Sequence, residues 1–181
     1  PCSVGKSLKY GMSSLAVHAG ARPDPVTGAR GTPIYQTTSF VFDDAEHGAE
    51  LFNLQTFGYV YSRMTNPTVS VFEERVAQLE GGRGAVATSS GHAAQFIAAA
   101  TLMEAGDEFI ASRNLYGGSV TQFGVSFPKL GWKCNFVDPT DPDNFEKAMN
   151  DKVKFIFCEG VANPGGIILD LEKIADIAHK H

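Results

Sequence analysis

Apolar and polar positions divide the chain into two unlike parts. Residues 1–66 carry prolines, glycines and isolated aromatics with little period, as in Ala21-Arg22-Pro23-Asp24-Pro25-Val26-Thr27-Gly28. Such a segment cannot build a core of its own and must lie against another surface. Residues 67–181 are regular. Asn66-Pro67 sets an N-cap before a proline at the first helical position, and a helix runs to the stop at Gly81-Gly82. Its Val71, Val76 and Leu79 recur at helical spacing among Glu73, Glu74 and Arg75. The pattern then predicts a strand over Gly84–Thr88, a helix over His92–Met103, a strand over Glu108–Ala111 and a helix over Ser119–Phe127. A strand over Lys133–Val137, a helix over Asp143–Asn150, a strand over Lys154–Cys158 and a helix over Leu169–His181 follow. Strands alternating with helices through short loops predict an α/β fold, a parallel-rich sheet with helices on its faces. The last helix has no stop signal and no strand after it, so the domain reads as truncated at His181.

Composition narrows the class without naming a chemistry. Hydrophobic residues make up 43% of the 181 and charged residues 19%, as in an ordinary globular protein with a real core. A net charge of −5 with no Lys/Arg cluster argues against a nucleic-acid partner. No apolar run has the length of a membrane span, and Pro1 to Gly20 lacks the uninterrupted apolar stretch of a secretory signal. Cys2, Cys134 and Cys158, odd in number and far apart, fit reduced thiols of a cytoplasmic protein better than a disulfide framework or a zinc site. Cys158, in Phe155-Ile156-Phe157-Cys158, reads as a small buried hydrophobe.

Candidate chemistry gathers at three strand exits. In open parallel sheets, ligands sit beyond the carboxyl ends of the strands. Ser89-Ser90-Gly91-His92 joins a strand pattern to an alanine-rich helix, so free amides, small hydroxyls and a positive helix end coincide there, which suits a phosphate. Asn114-Leu115-Tyr116-Gly117-Gly118 offers an aromatic ring flanked by glycines. Glu159-Gly160-Val161-Ala162-Asn163-Pro164-Gly165-Gly166 offers a carboxylate and an amide. Each has an ordinary alternative: a helix cap, a packed turn, a loop without ligand. Their strength is that one sheet edge brings them together. Tyr61 and Arg63 share a side if Tyr59–Arg63 is extended, and a phenol beside a guanidinium grips phosphate well. Neither a P-loop nor a dinucleotide-binding glycine pattern is present, and the histidines show no metal spacing apart from the terminal pair.

An ordered series of motifs resembles the Cys/Met-metabolism family of pyridoxal-phosphate (PLP) enzymes, closest to its O-acetylhomoserine sulfhydrylase branch. It comprises Val17-His18-Ala19-Gly20, Thr27-Gly28-Ala29-Arg30, Pro33-Ile34-Tyr35-Gln36-Thr37-Thr38-Ser39 and Tyr61-Ser62-Arg63. Asn66-Pro67-Thr68, Leu79-Glu80-Gly81-Gly82, Ser90-Gly91, Asn114-Leu115-Tyr116-Gly117-Gly118 and Asn163-Pro164 continue it. Related cystathionine synthases, cystathionine lyases and methionine γ-lyases usually carry Ser-Gly-Met where this chain has Ser90-Gly91-His92. His92-Ala93-Ala94-Gln95-Phe96 and Leu51-Phe52-Asn53-Leu54 look like the sulfhydrylase branch.

The resemblance implies a fold-type I PLP transferase: residues 67–181 as the first part of the cofactor domain and residues 1–66 as an arm on a neighbouring subunit of a homotetramer built as a dimer of dimers. It implies that Ser90, Gly91 and His92 hold the PLP phosphate and that Tyr116 stacks on the pyridine and is the candidate for proton transfer. It further implies that Tyr61 and Arg63 reach the phosphate of a neighbouring subunit. Asn163 then lies near the cofactor's oxygen side or the substrate carboxylate, with Glu159 a weaker candidate there. The implied reaction replaces the acetoxy group of O-acetylhomoserine with sulfide, giving homocysteine and acetate. A methionine γ-lyase or a cystathionine-forming or -cleaving enzyme is the rival within the family, and a non-catalytic phosphate-binding or assembly fragment the rival outside it. The family's cofactor-anchoring lysine, its pyridine-pairing aspartate and its carboxylate-gripping arginine have no counterpart up to His181. None of Lys6, Lys9, Lys129, Lys133, Lys147, Lys152, Lys154, Lys173 and Lys180 matches the lysine motif, so residues 1–181 alone are expected to be inactive.

Overall fold

A computed structural model describes residues 10–181; Cys2, Lys6, Lys9 and the first part of the segment tested for a signal lie outside the described residues. Two compact units divide the chain, one ending at Ala87 and one spanning Thr88–His181. The division falls after Ala87, so the helix beginning at Pro67 groups with the proline-rich segment.

The first unit contains α1 (Met12–His18), α2 (Ala45–Phe52) and α3 (Pro67–Leu79). The first two are too short to show a period in the sequence. Asp44 starts α2 by accepting the His47 N–H at 2.8 Å. Asn66 caps α3 as expected, its Oδ1 accepting the Thr68 N–H at 2.9 Å. The same buried side chain donates to the Tyr35 carbonyl at 3.0 Å and to Ser62 Oγ at 2.9 Å, so no polar atom of it is left unpaired. Thr68 Oγ1 accepts the Tyr35 N–H and donates to the Pro33 carbonyl. The Pro33–Tyr35 segment is thereby pinned to the start of α3. At Gly20, with φ +72°, an added Cβ would lie 2.6 Å from the Val71 carbonyl oxygen, so only glycine lets α1 turn this closely onto α3.

The second unit is the expected parallel α/β arrangement. α4 (Gly91–Leu102) precedes β1 (Glu108–Ser112), β2 (Lys133–Val137) and β3 (Val153–Phe157), which pair in parallel in the order β2-β1-β3. α5 (Gly117–Thr121), α6 (Asp143–Lys147) and α7 (Leu171–Lys180) follow β1, β2 and β3. The central strand β1 is buried on both sides, which its unbroken Phe109-Ile110-Ala111 run requires. Alternation sends Phe109 and Ala111 into a cluster with Ala99, Leu115, Phe123, Phe127 and Trp132, and Ile110 into a second with Phe145, Leu169, Ile174 and Ile177. The helices therefore cover both faces.

Three expected elements are corrected. Gly84–Thr88 forms no strand. No neighbour pairs with it among the described residues, and the Ala87 N–H donates to the Glu73 carboxylate at 2.8 Å instead of entering a ladder. The helix expected over Ser119–Phe127 begins at Gly117 and changes geometry: α5 passes into a π-turn over Gln122–Ser126 and a 3-10 turn over Phe127–Leu130. Pro128 explains the change, since it offers no N–H to the Gly124 carbonyl and its ring crowds that position. α6 ends at Lys147 rather than Asn150, because the Asn150 side chain turns to accept the Lys152 N–H and to donate to Glu108.

Candidate active site

The carboxyl ends of β1 and β3 and the amino end of α4 bring most of the predicted residues together within the second unit. Ser90 caps α4, its Oγ accepting the Ala93 N–H at 3.1 Å. The Gly91 and His92 N–H groups, at the open end of that helix, have no acceptor among the described residues. The His92 ring lies face to face with Tyr116, centroids 5.7 Å apart and planes 25° apart. Its carbonyl accepts from Gln122 Nε2 at 3.0 Å, which ties α4 to the π-turn. Gln122 Oε1 is buried without a partner. Gln95 and Ser119 exchange hydrogen bonds one turn deeper, at 3.0 and 3.3 Å.

Gly118 makes the stack possible. A Cβ there would stand 2.5 Å from His92 Cε1 and 2.6 Å from Tyr116 Cε1. Glu159, read in the sequence only as a weaker contact to a ligand, has another task. Its Oε1 accepts the Tyr116 N–H and its Oε2 the Asn163 N–H, both at 2.9 Å. Asn163 itself is exposed and joined to Pro164 by a cis peptide. The roles of Gln95, Ser119 and Gln122 have no sequence signal, since an amide and a hydroxyl at helical spacing read as ordinary surface residues.

Nothing among the half-buried thiols competes for the chemistry. Burial pushes the Cys134 thiol up to about 12 and the Cys158 thiol upward as well, so both are held protonated and inert. In the first unit, Arg63 stacks its guanidinium 4.9 Å from the centre of the Tyr61 ring. The pair meets, though not by strand alternation. Tyr61 forms an isolated bridge with Ser39, and its carbonyl accepts the Met64 and Thr65 N–H groups, so residues 62–64 turn rather than extend.

A phosphorylated aromatic group fits the second unit's cradle. Two unengaged amides and a hydroxyl at a helix amino end suit a phosphate. A Cβ at Gly91 or at Gly117 would meet nothing within 4 Å, so the space before them is open. Tyr116 is 53% exposed beside that space, and its ring can present a face to a heteroaromatic ring. Ser90, Gly91, His92, Tyr116 and Asn163 are the residues that could hold PLP.

Known proteins resemble this chain in sequence and in fold. The chain is 48% identical over 178 residues to an O-acetyl-L-homoserine sulfhydrylase of Leptospira meyeri, which covers 98% of this chain and 40% of the relative. It is 45% identical over 172 residues to a homocysteine/cysteine synthase of Saccharomyces cerevisiae, covering 94% of this chain and 39% of the relative. The chain thus spans about two fifths of the length of the curated relatives it matches. A crystal structure of a putative O-acetylhomoserine (thiol)-lyase of Campylobacter jejuni, containing N'-pyridoxyl-lysine-5'-monophosphate, superposes with a TM-score of 0.90 at 37% identity, over 95% of this chain and 42% of that one. Another, of metB from Corynebacterium glutamicum, gives 0.86 at 31% identity over 95% of this chain and 43% of that one. The fold is therefore that of the PLP-dependent fold-type I enzymes. The family model described as Cys/Met metabolism PLP-dependent enzyme matches residues 13–181, and the chain belongs to that family.

Proposed function

We propose that this chain is the N-terminal part of a PLP-dependent O-acetylhomoserine sulfhydrylase, a cytoplasmic enzyme that supplies homocysteine for methionine biosynthesis. The observation that carries the reading is the convergence of an open helix end, a stacked tyrosine and a loop amide at one edge of the parallel sheet. The amides of Gly91 and His92 and the Ser90 hydroxyl bind the phosphate. Tyr116 offers its ring to the pyridine and its hydroxyl for proton transfer, and Asn163 addresses the cofactor oxygen or the substrate carboxylate. Bound PLP would supply an electron sink, which makes loss of a proton from the amino-bearing carbon, then of one from the carbon beside it, and departure of acetate feasible.

Tyr61 and Arg63 belong to an arm that reaches the phosphate of a neighbouring subunit in a homotetramer, which gives the core-poor N-terminal segment its supporting surface. Residues 1–181 alone are proposed to be inactive, because none of their lysines sits in the family's anchoring motif. Borohydride reduction in the presence of PLP is expected to leave no pyridoxyl group on this polypeptide.

The full-length PLP-loaded protein tests the reading when given O-acetylhomoserine with sulfide, O-acetylhomoserine with cysteine, and methionine alone. Homocysteine and acetate from the first mixture are expected. Turnover of methionine alone would assign a γ-lyase, product from the cysteine mixture alone a cystathionine-forming enzyme, and no turnover with PLP bound a non-catalytic module.

A further inference from the structure

We propose that Glu159 is the positioning residue of this site, its carboxylate tying the exits of β1 and β3 together so that Tyr116 and Asn163 keep one fixed relation. The proposal rests on the reading of Tyr116 and Asn163 as cofactor-facing residues. β1 and β3 are hydrogen-bonded neighbours, but their ladder ends at Ala111 and Phe157. Beyond that point each loop must be fixed by something else. Glu159 stands two residues past the ladder and gives one oxygen to each loop, Oε1 to the Tyr116 N–H and Oε2 to the Asn163 N–H, at 2.9 Å in both cases. No other hydrogen bond joins residues 113–118 to residues 158–166 among the described residues.

The chemistry of the pair selects glutamate. A carboxylate has acceptors on both oxygens and bonds to amides more strongly than a neutral group does. Glutamine would keep one acceptor and set its NH2 against the other N–H. Aspartate would keep the charge but lose one carbon of reach, so that it could serve only one loop. Glu159 needs no contact with cofactor or substrate for this role. It acts through the backbone of the residues that make those contacts, and a misplacement of about 1 Å at such residues is enough to cost about a hundredfold in rate.

The test compares Glu159→Gln and Glu159→Asp with the wild type in the full-length, PLP-loaded protein. Both variants are expected to retain PLP, because the phosphate cradle on α4 does not involve Glu159. Visible circular dichroism of the bound cofactor should fall to about half or less, and in each variant hydrogen exchange at one of the two amides, Tyr116 or Asn163, should quicken about tenfold as it loses its acceptor. With O-acetylhomoserine and sulfide, kcat should fall at least about tenfold while KM changes by less than about threefold. In a Tyr116→Ala background the Glu159→Gln change should cost clearly less than in the wild type, since part of its effect passes through that ring. Unchanged dichroism and amide exchange, or strict additivity with Tyr116→Ala, would overturn the proposal, including when only the melting temperature drops. The dichroism and exchange readouts do not depend on which substrate is turned over. A wild type that ignores O-acetylhomoserine therefore refutes the proposed function alone.

Discussion

A Cβ on residue 118 would lie nearer to the His92 and Tyr116 rings than carbon atoms pack, yet both rings are side chains with solvent beside them and can move. Gly118→Ala therefore separates stability from binding. Alanine is the better helix former by about 0.5–1 kcal/mol, so the melting temperature should hold or rise slightly. The displaced stack should weaken PLP binding on the order of tenfold, equivalent to about 1.4 kcal/mol, as read by absorbance titration of the full-length apoprotein. A lower melting temperature with unchanged PLP affinity would show that the glycine serves the helix and not the stack. The positions of the candidate residues were legible in the sequence at this scale: Ser90, Tyr116 and Asn163 stand where a strand exit and a helix start put them. Glu159 was legible only as a carboxylate nearby. Its partners are backbone N–H groups, which every residue but proline carries, so no side-chain pattern announces them.

Among the elements, β1 shows how much of the sheet is held at its edge as well as in its core. Glu108 begins this strand with its side chain 12% exposed, and hydrogen bonds from Asn135, Asn150 and Lys133 hold its carboxyl down at about 2. A folded-state value below the unfolded one, about 4.3, stabilises the fold above that unfolded value. That contribution is lost as pH falls from about 4.5 towards 2. Glu108→Gln should therefore flatten the pH dependence of the urea midpoint in that window and lower the midpoint at neutral pH; parallel curves for the two proteins would refute the assignment. The strands at Lys133–Val137 and near Val153 and the helices at Pro67 and Gly91 were legible because periodicity and caps agree with the final packing. Gly84–Thr88 misled because an apolar run states a preference, whereas a strand exists only with a partner. The π-turn at Gln122–Ser126 could not be read, as it reconciles Pro128 with the burial of Phe123 and Phe127, a compromise set by tertiary packing.

For the molecule as a whole, the parallel α/β class followed from the alternation of elements, while the division after Ala87 did not. Asn66 and Thr68 gather the Pro33–Tyr35 segment onto α3 through bonds more than 30 residues apart in sequence, which no local pattern records. No helix among the described residues is long and apolar enough to cross a membrane. The open end of α4, from Ser90 to His92, is the proposed cup for the phosphate of PLP. Comparing PLP with unphosphorylated pyridoxal as ligands of the full-length apoprotein and of its Ser90→Ala variant tests that role. PLP is predicted to bind the wild type at least about a hundredfold more tightly than pyridoxal, and Ser90→Ala to reduce that ratio about tenfold while pyridoxal affinity stays put. Equal affinities for the two ligands, or a ratio untouched by Ser90→Ala, would contradict it.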